Sequence, residues 1–403
     1  MIVAIYGIPR SGKDTFINEI ISRKPNSFHL KGSSKLNEIA YSKYGCSFRE
    51  LDIFKQDEIR IEFTKYAKEL ESYYSLIIVD GHYSFPGEND FKSVFTKEDL
   101  ELYDAFFYLK RTPEEISRNF HNGDKEDYAS LLLDENKCEE WINFEICNMK
   151  EVVEDACKDF IVLDSDSISL DFVTEFENLS NECAKRIADE VVVLANGRKV
   201  VLTDLDKTVS INDLTNDFII KANLDPCFPK AIFKGDYYTQ YQFYKFHHWL
   251  TSVPNYDEAV SFSLKHLVIN EYVLNDLYNL KKEACVIALT TGMADAWSKK
   301  NQELNVFDKI YGFGKENQLV ITPLIKKLVA RYVTTRCETI AFGDSIIDFG
   351  MLSESKKGYL VSMTKLDKRI IACNETTQIA DNIYQPKYSS FKYDFIKEGE
   401  IKW

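Results

Sequence analysis

A glycine-rich segment near the start of the chain has residue types that can hold phosphate groups. Residues 7–15 read GIPRSGKDT, which fits the pattern GxxxxGK, and they lie between a short apolar run and a segment with helical spacing. Glycines let successive backbone N–H groups turn toward a phosphate, while Lys13 can reach the terminal phosphates. The residues that we predict to bind a nucleotide are Gly7, Arg10, Ser11, Gly12, Lys13, Asp14 and Thr15.

Asp14 stands where a Ser or Thr hydroxyl usually meets Mg²⁺ in such a loop. Either the hydroxyl of Thr15 takes that role or the metal is held largely through water. A second acid, Asp80, directly follows the apolar run 76–79. An acid at the carboxyl end of a parallel strand beside this loop can hold a metal-bound water or act as a general base, and it can also simply cap a turn.

A pair of carboxylates, Asp204 and Asp206, follows another apolar run at residues 199–203. Two carboxylates separated by one residue can divide the work of phosphate-ester hydrolysis. Asp204 is placed to attack phosphorus, and Asp206 to protonate the leaving oxygen and then to activate water. An acidic pair in this position can also be a solvated turn, so the prediction depends on which other groups reach it.

Two later apolar runs end in polar groups that suit this chemistry. Thr290 and Thr291 supply hydroxyl and backbone donors for a phosphoryl oxygen, and Asp344 with Asp348 supplies further carboxylates. Clustered carboxylates need a divalent cation to offset their repulsion and to orient a phosphate, so Mg²⁺ is implied. The predicted metal ligands are Asp204, Asp206, Asp344 and Asp348 here, and Thr15 in the N-terminal loop.

Two series of short apolar runs, separated by longer segments with helical spacing, must position these residues. The runs lie at 2–6, 76–79, 105–109 and 160–163, and then at 200–203, 286–289, 339–342 and 358–361. Alternating β and α patterns predict parallel sheets covered by helices, that is, an α/β fold of two tandem three-layer domains. The boundary falls near 176–198, where a helix is expected to end at Asn196 and Gly197.

The N-terminal domain resembles the nucleoside-monophosphate kinase group of P-loop proteins. Beyond the glycine-rich loop, the likeness includes HLKGSS at 29–34, VDGH at 79–82 and FYLKRTPEEISR at 107–118. The resemblance implies a P-loop kinase-like domain in which Lys13, Asp80 and Arg118 are catalytic and ATP or another nucleoside triphosphate is the cofactor. It also implies a lid at about residues 119–145, for which Arg111 is a second candidate arginine.

Residues 199–385 resemble the haloacid-dehalogenase-like phosphatase superfamily, which implies a Rossmannoid sheet with a helical cap. The motifs are DLDKT at 204–208, TTG at 290–292 and GDSIID at 343–348. The resemblance implies a nucleophile at Asp204, an acid/base at Asp206, a phosphate donor at Thr290 or Thr291, and a metal ligand at Asp344 supported by Asp348. In that pattern Lys207 replaces the commoner Gly or Ser.

The family's phosphate-neutralising lysine has three candidates in this sequence. Lys326 and Lys327 lie one turn into a helix that begins near Thr322, and Lys315 lies in the preceding loop. We favour Lys326. If none of the three reaches the phosphate, the resemblance would fit a domain that binds without catalysing.

The remaining segments are assigned by position. Domain bounds of 1–180 and 199–385 leave a linker or helix at 181–198 and an aromatic tail at 386–403, which we expect to pack on a domain or a neighbouring subunit. Residues of about 212–280 would form the cap, whose aromatic side chains we expect to make a small core of its own more often than to stack on a substrate ring. His247 and His248 are expected to be surface histidines rather than substrate contacts.

These features favour a bifunctional ATP-dependent kinase and Mg²⁺-dependent phosphatase that acts on nucleotides or related small phosphate esters. The domain order also resembles polynucleotide kinase–phosphatases, which phosphorylate a 5′-hydroxyl and remove a 3′-phosphate, so nucleic-acid ends are an alternative substrate. A net charge of −14 and the large cap favour small molecules. A third alternative is a nucleotide switch that regulates the phosphatase. The sequence does not indicate an oligomeric state.

Composition adds expectations about location. The 403 residues contain no apolar stretch of the ~18–20 residues that a membrane helix needs, and the N-terminus has no signal-peptide pattern. The nine cysteines include no CxxC pair, which indicates reduced thiols and no zinc site. We therefore expect a cytoplasmic protein without a membrane partner.

Overall fold

The computed structural model describes residues 1–87, 90–122, 127–164, 167–233, 238–315 and 319–361, and the backbone of 383–384, 387–389 and 392–394. The chain divides into two compact units, Met1–Leu179 and Ser180–Trp403. Within the described residues no helix combines the length and apolar character needed to cross a membrane.

The first unit alternates strands and helices along the chain. Its elements are β1 (Ile2–Tyr6), α1 (Lys13–Arg23), β2 (Ser27–Lys31), α2 (Gly32–Tyr44), a 3₁₀ turn (Phe48–Glu50), α3 (Ile53–Leu70), β3 (Leu76–Asp80), β4 (Ser84–Pro86), β5 (Phe91–Ser93), α4 (Lys97–Leu102), β6 (Ala105–Leu109), α5 (Pro113–His121), α6 (Ala129–Leu132), α7 (Glu135–Asp155), β7 (Asp159–Leu163) and α8 (Ser167–Glu175).

Five of these strands form a parallel sheet in the order β2-β3-β1-β6-β7, and β4 pairs with β5 in a separate antiparallel hairpin. Every residue of β1, β6 and β7 is buried, which requires cover on both faces of the sheet and is typical of parallel sheets. β2 has no apolar run and was not predicted; it pairs with β3 in the register Lys31 to Asp80. That pairing brings the end of β2 beside the acid that follows the 76–79 run.

Helix α7 carries a buried carboxylate into the core of the first unit. Glu145 is 0% exposed; its Oε1 accepts hydrogen bonds from the backbone N–H and the hydroxyl of Ser84, and its Oε2 accepts one from the Tyr108 hydroxyl, each at 2.9 Å. Trp141 of the same helix donates to the Ser84 hydroxyl at 2.9 Å. The end of the predicted lid at 119–145 is thus the first part of helix α7, which belongs to the core. Residues 123–126 of the predicted lid lie outside the described residues.

The second unit repeats the alternation with more helices. Its elements are α9 (Ser180–Ala195), β8 (Lys199–Thr203), α10 (Leu214–Ala222), α11 (Phe228–Ile232), α12 (Gln240–Thr251), α13 (Tyr256–His266), α14 (Glu271–Lys281), β9 (Ala284–Met293), α15 (Ala294–Leu304), β10 (Lys309–Phe313), α16 (Pro323–Thr334), β11 (Thr339–Gly343), α17 (Ile346–Glu354), β12 (Lys357–Leu360), β13 (Ile383–Tyr384), β14 (Lys387–Ser389) and β15 (Lys392–Asp394).

Its main sheet is parallel, in the order β10-β9-β8-β11-β12-β13, while β14 and β15 form an antiparallel pair. The predicted fold class, α/β with parallel sheets, is confirmed in both units. Helix α9 ends before Asn196 and Gly197, and both residues have positive φ, as the sequence pair indicates. The aromatic side chains predicted to pack in the 386–403 tail lie outside the described residues.

The segment predicted as a cap shares its core with the sheet. Phe218, Phe246 and Tyr256 from the inserted helices belong to the same buried cluster as Val201 and Val286 of the strands. Aromatic side chains of the segment also pack on one another, with Phe233 ring centroids 5.0 Å from Phe243 and 5.5 Å from Phe246. The aromatic packing expected for the segment is therefore present, and it is continuous with the core of the sheet.

We predict that Glu145→Ala lowers the free energy of unfolding of the first unit by about 3 kcal/mol. The substitution leaves the Ser84 N–H and two hydroxyls without their buried acceptor, and each buried donor left unsatisfied costs about 1 kcal/mol or more. Chemical denaturation of the full chain measures the change. Glu139→Ala, at an exposed position of the same helix, is the control; equal effects of the two substitutions would contradict the prediction.

Candidate active sites

The polar site of the second unit lies where two neighbouring parallel strands end. β8 and β11 pair in the register Thr203 to Phe342, and the backbone N–H of Asp204 donates to the Phe342 carbonyl at 2.9 Å. Asp204 and Asp344, each one or two residues beyond these paired positions, therefore emerge at the same edge of the sheet. This is the edge at which open parallel sheets generally bind ligands.

Lys326 is the cation of this site. It lies on α16, is fully buried, and its Nζ donates to Asp204 Oδ1 at 2.7 Å and to Asp348 Oδ1 at 2.6 Å. Burial alone would lower the pKa of Lys326, but the two carboxylates outweigh burial and raise it, so the ammonium form is retained. Of the three candidate lysines, Lys326 is thus the one that reaches Asp204.

The two other candidates point elsewhere. The side chain of Lys327 packs where a Cβ at Gly350 would lie, with its own Cβ 2.8 Å from that position. Lys315 is exposed, and its Nζ lies 3.6 Å from a carboxylate oxygen of Asp257. Lys327 therefore packs against Gly350 and Lys315 lies beside Asp257.

Three carboxylates face one another beside Lys326. Asp204, Asp344 and Asp348 each bring an oxygen within 4.8 Å of the others. Burial raises the pKa of Asp204 to about 7, and burial with repulsion from Asp348 and Asp204 raises the pKa of Asp344 to about 9. One lysine therefore does not balance the three acids, and an all-oxygen donor set of this kind suits Mg²⁺. These three residues fit a divalent cation, whereas Asp206 lies outside the group.

Asp348 also builds the turn that carries Asp344. Its Oδ2 accepts the backbone N–H groups of Asp344 and Ser345, at 3.2 and 3.3 Å, and the Ser345 hydroxyl at 3.1 Å. Asp348 is the third residue of α17, so these bonds to the N-cap residue Ser345 are part of a capping box. Asp348 therefore supports the turn through one oxygen and faces Lys326 through the other.

Asp206 is set apart from the carboxylate group by its partners. Its Oδ1 accepts the Leu214 N–H at 3.0 Å, at the start of α10. Burial, with repulsion from Asp213, raises the pKa of Asp206, which favours the protonated form that a general acid needs. A Cβ at Gly292 would lie 2.7 Å from Asp206 Oδ2, so only glycine lets the 290–292 backbone approach this carboxyl so closely.

The unusual Lys207 has a conformational explanation. Its φ is 61°, in the left-handed region that favours glycine, which accounts for a commoner glycine at this position in the resembled pattern. Its Nζ donates to Asp213 Oδ2 at 2.9 Å across the half-exposed turn. Lys207 therefore has a left-handed backbone conformation, and its side chain forms an ion pair with Asp213.

Thr290 is the threonine of this site that is turned inward. It is 1% exposed, and its Oγ1 accepts the Gly292 N–H at 2.9 Å. Thr291 is half-buried, and its carbonyl contacts the ring of His247. The expectation of a surface position is wrong for His247, which is fully buried, and correct for His248, which is exposed.

In the first unit the glycine-rich loop joins β1 to α1. Arg10 and Gly12 have φ values of 69° and 80°, so the loop turns through left-handed backbone, and Gly12 caps the helix. Lys13 is buried and its Nζ donates to the Gly7 carbonyl at 2.6 Å. Burial lowers the pKa of Lys13 to about 8. A cavity of about 720 Å³ opens beside the loop, and its lining includes Arg10, Ser11, Gly12, Lys13, Asp14 and Thr15.

Asp80 lies at the end of β3, beside this cavity. Its Oδ1 accepts the Gly32 N–H at 3.1 Å and contacts His29 Nε2 at 3.3 Å. Burial alone would raise the pKa of Asp80, but these two hydrogen bonds outweigh it and lower the pKa, so the carboxylate is favoured. Asp14, His29 and Asp80 bring ligand atoms within 4.8 Å of one another and could hold a cation. The sequence motif at 29–34 includes His29, but its contact with Asp80 was not predicted because β2 was not.

A second cavity of about 690 Å³ adjoins the first. Both are lined by Arg10, Asp80 and His82, so they meet at the end of β3. Aromatic side chains line much of the second cavity: Tyr6, Phe48, Phe63, Phe85, Tyr103 and Tyr128. The two cavities thus share a wall that includes Asp80.

The structure does not bring Arg118 to these cavities. Arg118 is exposed on α5 and is not among the lining residues, whereas Arg111 and Asn119 are. Asn119 Nδ2 donates to the Arg10 carbonyl at 2.9 Å, which attaches α5 to the loop. Because successive helical positions face different sides, the residue after Arg118 points at the loop while Arg118 points to solvent. Of the two candidate arginines, Arg111 is thus the one that lines the cavity.

No protein-family model matches the chain, and no curated protein matches it. Solved structures with similar regions include a substrate-bound phosphoserine phosphatase, at 18% identity and a TM-score of 0.34, which covers 43% of this chain and 97% of that one. A haloacid-dehalogenase family hydrolase from Salmonella enterica serovar Typhi has 14% identity and a TM-score of 0.36, over 48% of this chain and 74% of its own. The Pnkp1/Rnl/Hen1 RNA repair complex contains a chain with 14% identity and a TM-score of 0.25, over 87% and 91%. At these values neither family nor activity carries over to this chain.

We predict that Lys326→Met lowers the free energy of unfolding of the second unit by roughly 3–5 kcal/mol, because it leaves buried carboxylates without their cation. Lys327→Met, one residue further along the same helix, is the matched control, with an expected change within about 0.5 kcal/mol. Denaturation of both full-length variants in metal-free buffer measures the difference. A Lys326→Met chain as stable as the control would show that Lys326 does not neutralise this site.

Proposed function

We propose that the second unit is a phosphomonoester hydrolase and the first a nucleoside-triphosphate-dependent kinase, both acting on nucleotides or related small phosphate esters. The observation that carries the hydrolase is the buried Lys326 between Asp204 and Asp348, with Asp206 and Thr290 beside them. Lys326 pairs with Asp204 and favours its carboxylate form, whereas burial and Asp213 favour the protonated form of Asp206. This difference suits one nucleophile and one acid.

Hydrolysis would proceed in two displacements. An oxygen of the Asp204 carboxylate attacks phosphorus and forms a P–O bond, while the bond to the ester oxygen breaks and Asp206 donates its proton to that oxygen. Asp206, now a carboxylate, takes a proton from water as the water oxygen attacks phosphorus, which releases inorganic phosphate and restores Asp204. Lys326 and the Thr290 hydroxyl stabilise the negative charge on the phosphoryl oxygens during both displacements.

Asp204, Asp344 and Asp348 are the residues that would hold Mg²⁺ in this unit. When bound, the cation supplies charge neutralisation between the phosphate and the clustered carboxylates. Without a cation, burial and mutual repulsion favour protonation of Asp204 and Asp344, and a protonated Asp204 would be a poor nucleophile. The proposal therefore requires a divalent cation for turnover.

The kinase proposal depends on the two cavities that meet at Asp80. The glycine-rich loop and Lys13 line the first, which suits the phosphates of a nucleoside triphosphate. The aromatic second cavity suits a small planar acceptor, and at about 690 Å³ it is within the size range of small-molecule sites. Asp80, held as a carboxylate, would take the proton of an acceptor hydroxyl as that oxygen attacks the terminal phosphorus.

We predict that Asp204→Asn abolishes phosphate release from the best substrate of a panel of mononucleotides, sugar phosphates and 3′-phosphorylated oligonucleotides, because the amide is a poor nucleophile. Chelation of divalent cations should have the same effect. Asp217→Asn, on α10 of the same unit, is the control and should retain activity. Undiminished release by Asp204→Asn would rule out the proposed hydrolase, and release from oligonucleotide ends alone would replace small esters with nucleic-acid ends.

For the first unit we predict that Lys13→Ala reduces transfer of label from the γ-phosphate of ATP at least about 10²-fold, since the cation that contacts the terminal phosphates is lost. Acceptors would include nucleosides, mononucleotides and 5′-hydroxyl oligonucleotides. Asp204→Asn is the internal control, and it should leave transfer unchanged while Lys13→Ala leaves phosphate-ester hydrolysis unchanged. ATP hydrolysis without any labelled product would contradict the kinase and favour the switch.

A further inference from the structure

We propose that His247, on helix α12 of the inserted segment, is a positioning residue that orients the Thr290 hydroxyl toward the phosphoryl group. It acts through the peptide group between Thr291 and Gly292. This inference rests on the proposed hydrolase and adds to it a residue that lies far from the site's motifs in sequence. His247 touches neither Asp204 nor Asp206 in the contacts described above, so its effect must pass through the backbone.

The first link is a hydrogen bond from the imidazole to the backbone. His247 Nε2 lies 2.9 Å from the Thr291 carbonyl oxygen. Because a carbonyl only accepts, the ring proton is on Nε2. The ring is fully buried and lies against Phe313 with centroids 4.0 Å apart and planes 14° from parallel. The imidazole is therefore held in one orientation, with its N–H directed at that carbonyl.

The second link leaves from the other end of the same peptide group. The Gly292 N–H donates to Thr290 Oγ1 at 2.9 Å. The C=O of one peptide unit thus accepts from His247, and its N–H donates to the threonine hydroxyl. Hydrogen bonds arranged in series polarise one another and strengthen together in a low-dielectric interior. The buried imidazole thereby fixes the orientation of the Thr291–Gly292 peptide group, whose N–H donates to the Thr290 hydroxyl.

The threonine side chain is held from two sides. Its Oγ1 is fixed by the Gly292 N–H, and its methyl carbon packs where a Cβ at Gly312 would lie, 2.7 Å away. With the oxygen already accepting one hydrogen bond, its own O–H is available to donate in another direction. A phosphoryl oxygen is an acceptor only, so this orientation is the one that the proposed role of Thr290 requires.

A purely structural role for His247 would come from its ring stacking on Phe313. Two substitutions separate stacking from hydrogen bonding. His247→Phe keeps a planar ring against Phe313 and loses the donor, whereas His247→Gln places an amide N–H near the position of Nε2 and loses the ring. His247→Asn has an amide too short to reach the Thr291 carbonyl, so it is a second donor-free variant if the Phe variant does not fold.

The test measures kcat and KM of the full chain with Mg²⁺ and the best phosphate-ester substrate, for wild type and the His247 variants. We expect His247→Phe and His247→Asn to lower kcat/KM about 10- to 100-fold, the range for a misplaced oxyanion donor. His247→Gln should recover to within about threefold of wild type. His248→Phe, at the exposed neighbouring position, is the control and should match wild type.

A double-mutant cycle with Thr290→Val decides whether the effect passes through the hydroxyl. In that background His247→Phe should change kcat/KM less than about twofold, because the hydroxyl that it orients is absent. A full loss in the Thr290→Val background, or equal activities of the Phe and Gln variants, would overturn the inference. An inactive wild type would instead refute the proposed hydrolase, so the two failures are distinguishable.

Discussion

The site of the second unit depends on the pairing of one buried lysine with clustered carboxyl groups at the edge of its sheet. Asp204, Asp344 and Asp348 meet there, and the ammonium group of Lys326 lies between two of them in a fully buried position. Parallel strands bring the carboxylates together and α16 supplies the lysine, so the arrangement requires both the sheet and the helix that packs beside it. A site with excess carboxylate beside a buried lysine is suited to bind a cation and a phosphate together, because each offsets the charge of the other.

In the first unit the hydrogen bonds around the acid lower its pKa, whereas in the second unit burial raises the pKa values of Asp204 and Asp344. Its acid, Asp80, is stabilised as a carboxylate by His29 and the Gly32 N–H, and the cation of the loop, Lys13, is buried close by. Two cavities share this corner, one beside the glycine-rich loop and the other lined by both aromatic and charged side chains. The same sheet architecture therefore places Asp80 beside the glycine-rich loop in one unit and Asp204 beside Lys326 in the other.

Sequence reasoning could predict those features whose residues are close together in the chain. The glycine-rich loop and the acids after β3, β8 and β11 each follow an apolar run. The strands, and the place of these residues at the strand ends, could therefore be predicted. What it missed depends on contacts across long separations: β2 is amphipathic and half-exposed, so it lacked an apolar run, and His247 lies 44 residues from Thr291. Arg118 was chosen by resemblance, but helical phase directs Asn119 to the loop instead.

The central claim is that Asp204 becomes covalently phosphorylated during turnover. We would mix the full-length Asp206→Asn variant with Mg²⁺ and an aryl phosphate, whose leaving group departs without protonation, so that only hydrolysis of the intermediate is slowed. The reaction would be quenched in acid and the phosphoryl group mapped by mass spectrometry. The account predicts a phosphoryl group on the peptide that contains Asp204, and none when Asp204→Asn is added to the variant. Phosphate release by the wild type with no phosphoryl group on Asp204 in the variant would contradict it.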